Sequence, residues 1–363
     1  MKNQYILLYI GLGFLFLSCS KSSDTTDDSV NPTTVATLYF PPIGSDTWET
    51  ASLQTIGWNS NTEEPLYNFL EENDTKAFII LKDGKIVIER YFDDFTKDSP
   101  WYWASAGKTL TAFITGIASE NGFLELDAKS SDYLGQGWTN APQEKEELIT
   151  VWHQLTMTSG LDETTWDCTM PDCLTYLADA GTRWSYHNAP YTLIQDVVAN
   201  ATQTSFENYF TNTLKNKIGM DGRWIPNADN NTYWSTARSM ARFGLLNLNN
   251  GTWKNTVILG DTDFLTQMKN TSQDLNKSYG YLWWLNGKES AMVPSLQIVF
   301  NEELIPNAPD DLYAGLGKND QKLYVVPSVN LVVVRMGEDT GETALGPSSF
   351  DNELWGYLNT LMN

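Results

Sequence analysis

Histidine is nearly missing from this chain. Two stand among 363 residues, His153 and His187, too few for a histidine-built metal centre. Cysteine is almost as scarce at three, which excludes a cysteine-rich zinc site, so no metal is expected. Positive charge is short as well. Lys and Arg number 23 against 45 Asp and Glu, for a formal net charge of −22. Such a surface repels phosphate backbones and excludes nucleic acid as a partner. No glycine-rich phosphate loop and no internal repeat are visible, so no nucleotide cofactor is expected. What the chain does have is apolar bulk. Hydrophobic residues make up 41% and aromatics 13%, with 14 Trp, which excludes a disordered chain and supports a sizeable packed core.

The N-terminus reads as an address. Lys2 precedes the apolar run Tyr5–Leu17, about 13 residues where a bilayer span needs about 20. That length fits the hydrophobic region of a secretory signal. The run closes on Phe16-Leu17-Ser18-Cys19, which resembles a bacterial lipobox. The resemblance implies removal of residues 1–18 and lipidation of Cys19. The protein would then sit at the cell envelope, facing the periplasm or cell surface, and touch membrane only through that anchor. Residues 19–45, rich in Ser, Thr and Asp, read as a solvated tether. Cys168 and Cys173 remain; an exported protein meets an oxidising compartment, where this pair is expected to form a disulfide.

Residues 46–363 read as one interleaved unit. Ala77–Leu81 and Ile86–Phe92 are β-rich runs flanking Lys82-Asp83-Gly84-Lys85, a hairpin signal. Leu323–Val326 and Leu331–Met336 form a second pair around Pro327-Ser328-Val329-Asn330. Between them Leu110–Ser119, Tyr191–Ala201, Phe206–Leu214 and Ala237–Asn247 show helical apolar spacing. The expected fold is α+β. One antiparallel sheet, flanked by helices, is built from both ends of the chain (about 46–115 and 275–363), with an all-helical insert over about 116–274.

Two clusters carry chemistry. Ser105 and Lys108 lie three residues apart in Trp103-Ala104-Ser105-Ala106-Gly107-Lys108, just before the apolar stripe Leu110, Phe113, Ile114 and Ile117. On a helix they share a face away from that stripe, and the lysine can lean back to the hydroxyl. Serine is a poor nucleophile without a base, and lysine is a base only once its pKa falls. Tyr186-His187-Asn188 is the second cluster. It offers a phenol for proton relay and an amide to hold a carbonyl. Each pattern also recurs by chance, at Ser18–Lys21 and Tyr357–Asn359, so order and context must decide.

In order and context the chain resembles the serine β-lactamase and penicillin-binding-protein superfamily, nearest its class C β-lactamase-related esterases and amide hydrolases. Ser-x-x-Lys precedes Tyr-x-Asn by about eighty residues. Leu126-Asp127 with Tyr133-Leu134, the stretch Ile149-Thr150-Val151 to Leu155-Thr156-Met157-Thr158-Ser159-Gly160-Leu161, Ser235-Thr236-Ala237-Arg238 and Tyr279-Gly280-Tyr281-Leu282-Trp283-Trp284 match further, over about residues 60–363. The resemblance implies Ser105 as nucleophile, Lys108 and Tyr186 as bases, and Asn188 and Lys318 as partners. It implies the backbone N–H groups of Ser105 and Gln321 as oxyanion donors. The third motif departs from the pattern. Counting back from Tyr324-Val325-Val326-Pro327 sets Lys318-Asn319-Asp320 where the family has Lys-Thr-Gly, so Asp320 replaces a glycine that lies close to substrate. That disfavours β-lactams and leaves a serine hydrolase of carboxyl esters or amides. A β-lactamase or D-Ala peptidase is the alternative, as is a non-catalytic sensor on the same fold. A Ser-His-Asp triad would need His153 or His187, and no Gly-x-Ser-x-Gly elbow is present. Trp101, Trp103, Trp166, Trp184, Trp283 and Trp284 flank the motifs and are candidates to line an aromatic cleft or to fill the core.

Overall fold

Thr75–Lys82 and Lys85–Tyr91 fold back on each other across Asp83 and Gly84. Both turn residues have positive φ, 52° and 80°, the conformation that lets a two-residue turn follow the twist of its strands. The computed structural model describes residues 38–227, 229–341 and 346–363. The expected signal segment, residues 1–18, and Cys19 lie outside the described residues. At the other end of the chain Gln321–Val326 pairs antiparallel with Leu331–Gly337, and Leu331–Gly337 then pairs along Thr75–Lys82. Tyr313–Gly317 and Trp284–Leu285 complete a six-stranded antiparallel sheet. Its edges, Lys85–Tyr91 and Trp284–Leu285, come from the two halves of the chain.

Gln321–Val326 and Leu331–Gly337 are buried along their whole length, because helices cover both faces. On one face lies Ala237–Leu248, whose Gly244 leaves no room for a side chain. A Cβ there would sit 2.5 Å from Val332 Cγ1 and 2.8 Å from Leu323 Cδ1. Ser349–Met362 covers the other face, its Trp355 edge-on to Tyr324. The fold is mixed α+β, as expected from the sequence.

Two boundaries need correction. The insert is not all-helical: Arg223–Asn227 and Asn230–Ser235 form a hairpin that joins Trp101–Tyr102 in a three-stranded sheet. The β-rich run Thr232-Tyr233-Trp234 outweighs the helical spacing around it. The boundary expected at residue 45 also moves. The Tyr39 N–H donates to Asp83 O at 2.9 Å, and Phe40 packs edge-on to Trp253, so residues 38–45 belong to the fold.

Candidate active site

Ser105 stands on a single 3-10 turn, Ala104–Gly107, that runs directly into the helix Lys108–Glu120. Ala104 holds φ 46°, a left-handed conformation that costs a non-glycine residue about 1–3 kcal/mol. The surroundings enforce it. Trp103 is fully buried, its indole N–H donates to Ser235 Oγ at 2.7 Å, and its backbone N–H donates to Tyr233 O at 2.8 Å. From the opposite side Gly317 lets a strand press in: a Cβ there would lie 2.5 Å from Trp103 O.

Lys108 is 2% exposed. Its Nζ lies 3.0 Å from Ser105 Oγ and 2.6 Å from Asn188 Oδ1. The rings of Tyr191 and Tyr186 flank it, with centroids at 4.2 and 4.9 Å. Burial pushes the amine down to about 7, against the opposing charge of Asp167, because a low-dielectric site disfavours the charged form. An amine that is half neutral near pH 7 and bonded to a hydroxyl can take its proton. Tyr186 is 2% exposed, and burial raises its phenol, with Ser105 close enough to favour the ionised form. Its hydroxyl nonetheless has no formed hydrogen bond among the described residues. Asn188 opens the helix Asn188–Thr202 and donates from Nδ2 to Asp167 Oδ1 at 2.7 Å.

A cleft of about 600 Å³ opens beside these groups, and Tyr186 is not part of its lining. Ser105, Lys108, Asn188 and Lys318 all line it, so four of the sequence candidates meet in one place. Lys318 does so from an exposed position at the tip of the hairpin between Tyr313–Gly317 and Gln321–Val326.

Gln321 does not join them. It pairs with Gly317 on the inner strand, and its amide donates to Asn319 O and Gly337 O at 2.6 and 2.7 Å, closing the hairpin from within. The strand beside Ser105 is Tyr313–Gly317. The Asn286 N–H donates to Leu312 O, so alternate residues along this strand, 312, 314 and 316, turn their peptide groups to the outer edge. Leu316 therefore presents its N–H on the edge facing the serine turn, in place of Gln321.

Asp320 is corrected with it. It is 1% exposed and turned from the cleft, bonded to Lys322 Nζ at 2.9 Å and to the hydroxyls of Ser348 and Thr340, both at 2.6 Å. Burial works against its charge, but Lys322 and the two hydroxyls hold the carboxyl below its ordinary range. It adds no side chain to the cleft lining, and Gly315 and Gly317 let the neighbouring strand lie close to the serine turn. Counting back from Tyr324 stopped short of the strand because three residues, Lys318 to Asp320, are spent on a turn. Asn319 and Asp320 hold φ 58° and 54° there, a conformation that Asn and Asp tolerate.

Neither histidine lines the cleft. His153 Nδ1 accepts the Thr150 N–H at 3.1 Å in a helix cap, and burial lowers both imidazoles to about 4. Cys168 and Cys173 form a disulfide. Of the tryptophans, Trp166 lines the cleft, whereas Trp103, Trp184, Trp283 and Trp284 are core. Sequence reasoning missed Asp167, and missed the wall made by Tyr102, Ile225 and Trp234. Asp167 stood in plain view beside Trp166 and Cys168, but only the fold brings it to Asn188.

A sequence model of the Beta-lactamase family matches residues 71–351. The chain belongs to the Beta-lactamase family. Among solved structures this β-lactamase-family chain is similar to a putative 6-aminohexanoate-dimer hydrolase from Bacillus anthracis (TM-score 0.66, 20% identity, 86% of each chain covered). It is also similar to a putative beta-lactamase from Bacteroides dorei (0.66, 15%, 84% of this chain and 99% of that one). A family VIII carboxylesterase is a third likeness (0.63, 13%, 86% and 98%). At these identities the likeness is one of fold. No curated protein matches the sequence. Membership of the β-lactamase family supports a hydrolase activity.

Proposed function

We propose that the chain is a serine hydrolase that works through an acyl-enzyme on Ser105, with carboxyl esters or amides as substrates. The observation that carries this reading is the buried Lys108 amine, 3.0 Å from Ser105 Oγ and lowered to about 7. Neutral Lys108 takes the hydroxyl proton as Ser105 Oγ bonds to the substrate carbonyl carbon. The oxyanion then faces the N–H of Ser105, in a first helical turn that leaves such groups without internal acceptors, and the N–H of Leu316. Collapse breaks the bond to the leaving group, which takes a proton passed on through Lys108 and Tyr186. Water attacks the ester by the same route and frees Ser105.

Removal of Asp320 from the cleft takes away the steric argument against β-lactams. Lys318, exposed at the rim, favours a second reading in which the substrate carries a carboxylate. A panel of p-nitrophenyl esters, anilides, D-Ala peptides and nitrocefin separates the two. Turnover of uncharged esters or anilides with higher kcat/KM than nitrocefin and D-Ala peptides supports the first; the reverse order replaces it.

We propose export and lipidation at Cys19 as the route to the cell envelope. No helix among the described residues is long and apolar enough to cross a membrane. Cys19→Ala should shift the protein from the membrane to the soluble fraction, and equal partitioning of both forms would contradict the anchor.

A further inference from the structure

Asp167 is the acidic side chain that borders the cleft, and no step of the proposed chemistry uses it. Its Oδ1 accepts from Asn188 Nδ2 at 2.7 Å. A side-chain amide has one donating end and one accepting end. With Nδ2 committed to the carboxylate, Oδ1 must face the other way, and there it meets Lys108 Nζ at 2.6 Å. A neutral lysine has two N–H groups and one lone pair. Giving one N–H to Asn188 leaves the lone pair free to turn to the Ser105 hydroxyl. A flipped amide would set its oxygen against the Asp167 carboxylate, acceptor against acceptor, and would aim its N–H groups at the lysine lone pair in competition with the Ser105 hydroxyl.

The loop that carries Asp167 is braced. The Ala189 N–H donates to Trp166 O at 3.2 Å, and the Cys168 N–H to Thr165 O at 3.2 Å. The Cys168–Cys173 disulfide closes the next turn, and Arg183 pairs with Glu163 upstream. Trp166 holds φ 52° within this frame, so the loop cannot carry Asp167 away from Asn188 without breaking several of these contacts.

Resting on the serine-hydrolase reading, we propose that Asp167 is a positioning residue for the Lys108–Ser105 pair, acting through the Asn188 amide that it holds with its carbonyl toward Lys108. Its charge has a second consequence. The groups that face Lys108 are Ser105 on its own turn, Asn188 and Tyr191 on one helix, Tyr186 ahead of it, and Asp167; Lys318 borders the same cleft. Burial holds the two phenols un-ionised near neutrality, and Asp167 favours protonated Lys108. Removing that charge should lower the pH at which Lys108 becomes neutral.

The test is the rate of Ser105 labelling by a fluorophosphonate from pH 5 to 9, in the full chain. Asp167→Asn keeps an acceptor for Asn188 and removes the charge. Its plateau rate should stay within a few-fold of wild type, while its acid limb moves to lower pH. Asp167→Ala also frees the amide, and its plateau should fall roughly ten- to a hundredfold, the scale on which small misplacements act. Wild-type plateau and midpoint in both variants overturn the inference, as does an unshifted or upward-shifted limb in Asp167→Asn, whether or not Asp167→Ala folds. An unlabelled Ser105 in the wild type strikes instead at the serine-hydrolase reading.

Discussion

Two lysines border the cleft, and the chain holds them in opposite ways. Lys108 is 2% exposed, clamped between Ser105, Asn188 and two tyrosine rings. Lys318 stands exposed at the tip of a hairpin. Burial strips water from the first amine and makes it give up its proton near neutrality, which suits a base. The second stays in water, where its charge is screened. It suits an arriving anionic group better than proton transfer. A third lysine sharpens the contrast. Lys322, four residues past Lys318, is fully buried between Asp320 at 2.9 Å and Asp351 at 2.8 Å. Burial among carboxylates suits Lys322 to a structural role, whereas burial among aromatic rings suits Lys108 to proton transfer.

Substituting the three lysines separates these roles. Lys108→Ala should lower kcat roughly 10³-fold or more with little change in folding, as loss of a base does; steady-state kinetics beside a melting curve checks both. Lys322→Met leaves two buried carboxylates uncompensated and should destabilise the protein by about 3–5 kcal/mol, read from denaturant unfolding. An unchanged midpoint would place Lys322 with Lys318 instead. Lys318→Ala should leave stability within about 0.5 kcal/mol. It should raise KM for carboxylate-bearing substrates several-fold and leave uncharged esters unaffected. The mildest effect is in pH. Only neutral Lys108 accepts a proton and its pKa lies at about 7, so kcat/KM should climb as pH rises through about 7 and level off above it. A limb near the ordinary lysine range, above pH 10, would deny the burial effect.

The same contrast explains what could be read before folding. The hairpin at Asp83-Gly84 and the Ser105–Lys108 pair are local: turn chemistry and helical spacing determine them, and the structure places them as expected. Asn188 follows from the order of motifs along the chain, whereas Lys318 borders the cleft from a turn and not from the strand that the motif count assigned to it. The oxyanion strand was not, because its position depends on how many residues the turn Lys318–Asp320 consumes, and a miscount of the turn moved the assignment from Tyr313–Gly317 to Gln321. The side chain of Asp320 was misjudged for a related reason. Its partners Lys322, Thr340 and Ser348 lie up to 28 residues away in sequence and come together only across the sheet. The hairpin Arg223–Asn227 and Asn230–Ser235 lay hidden between strongly helical stretches.

If burial of Lys108 against Ser105 makes a nucleophile, peptide-level mass spectrometry after fluorophosphonate treatment should find one adduct, on the peptide containing Ser105, in the wild type, and none in Lys108→Ala protein that retains its fold. An adduct on another residue, or equal labelling of Ser105 with and without Lys108, would contradict that role for Lys108.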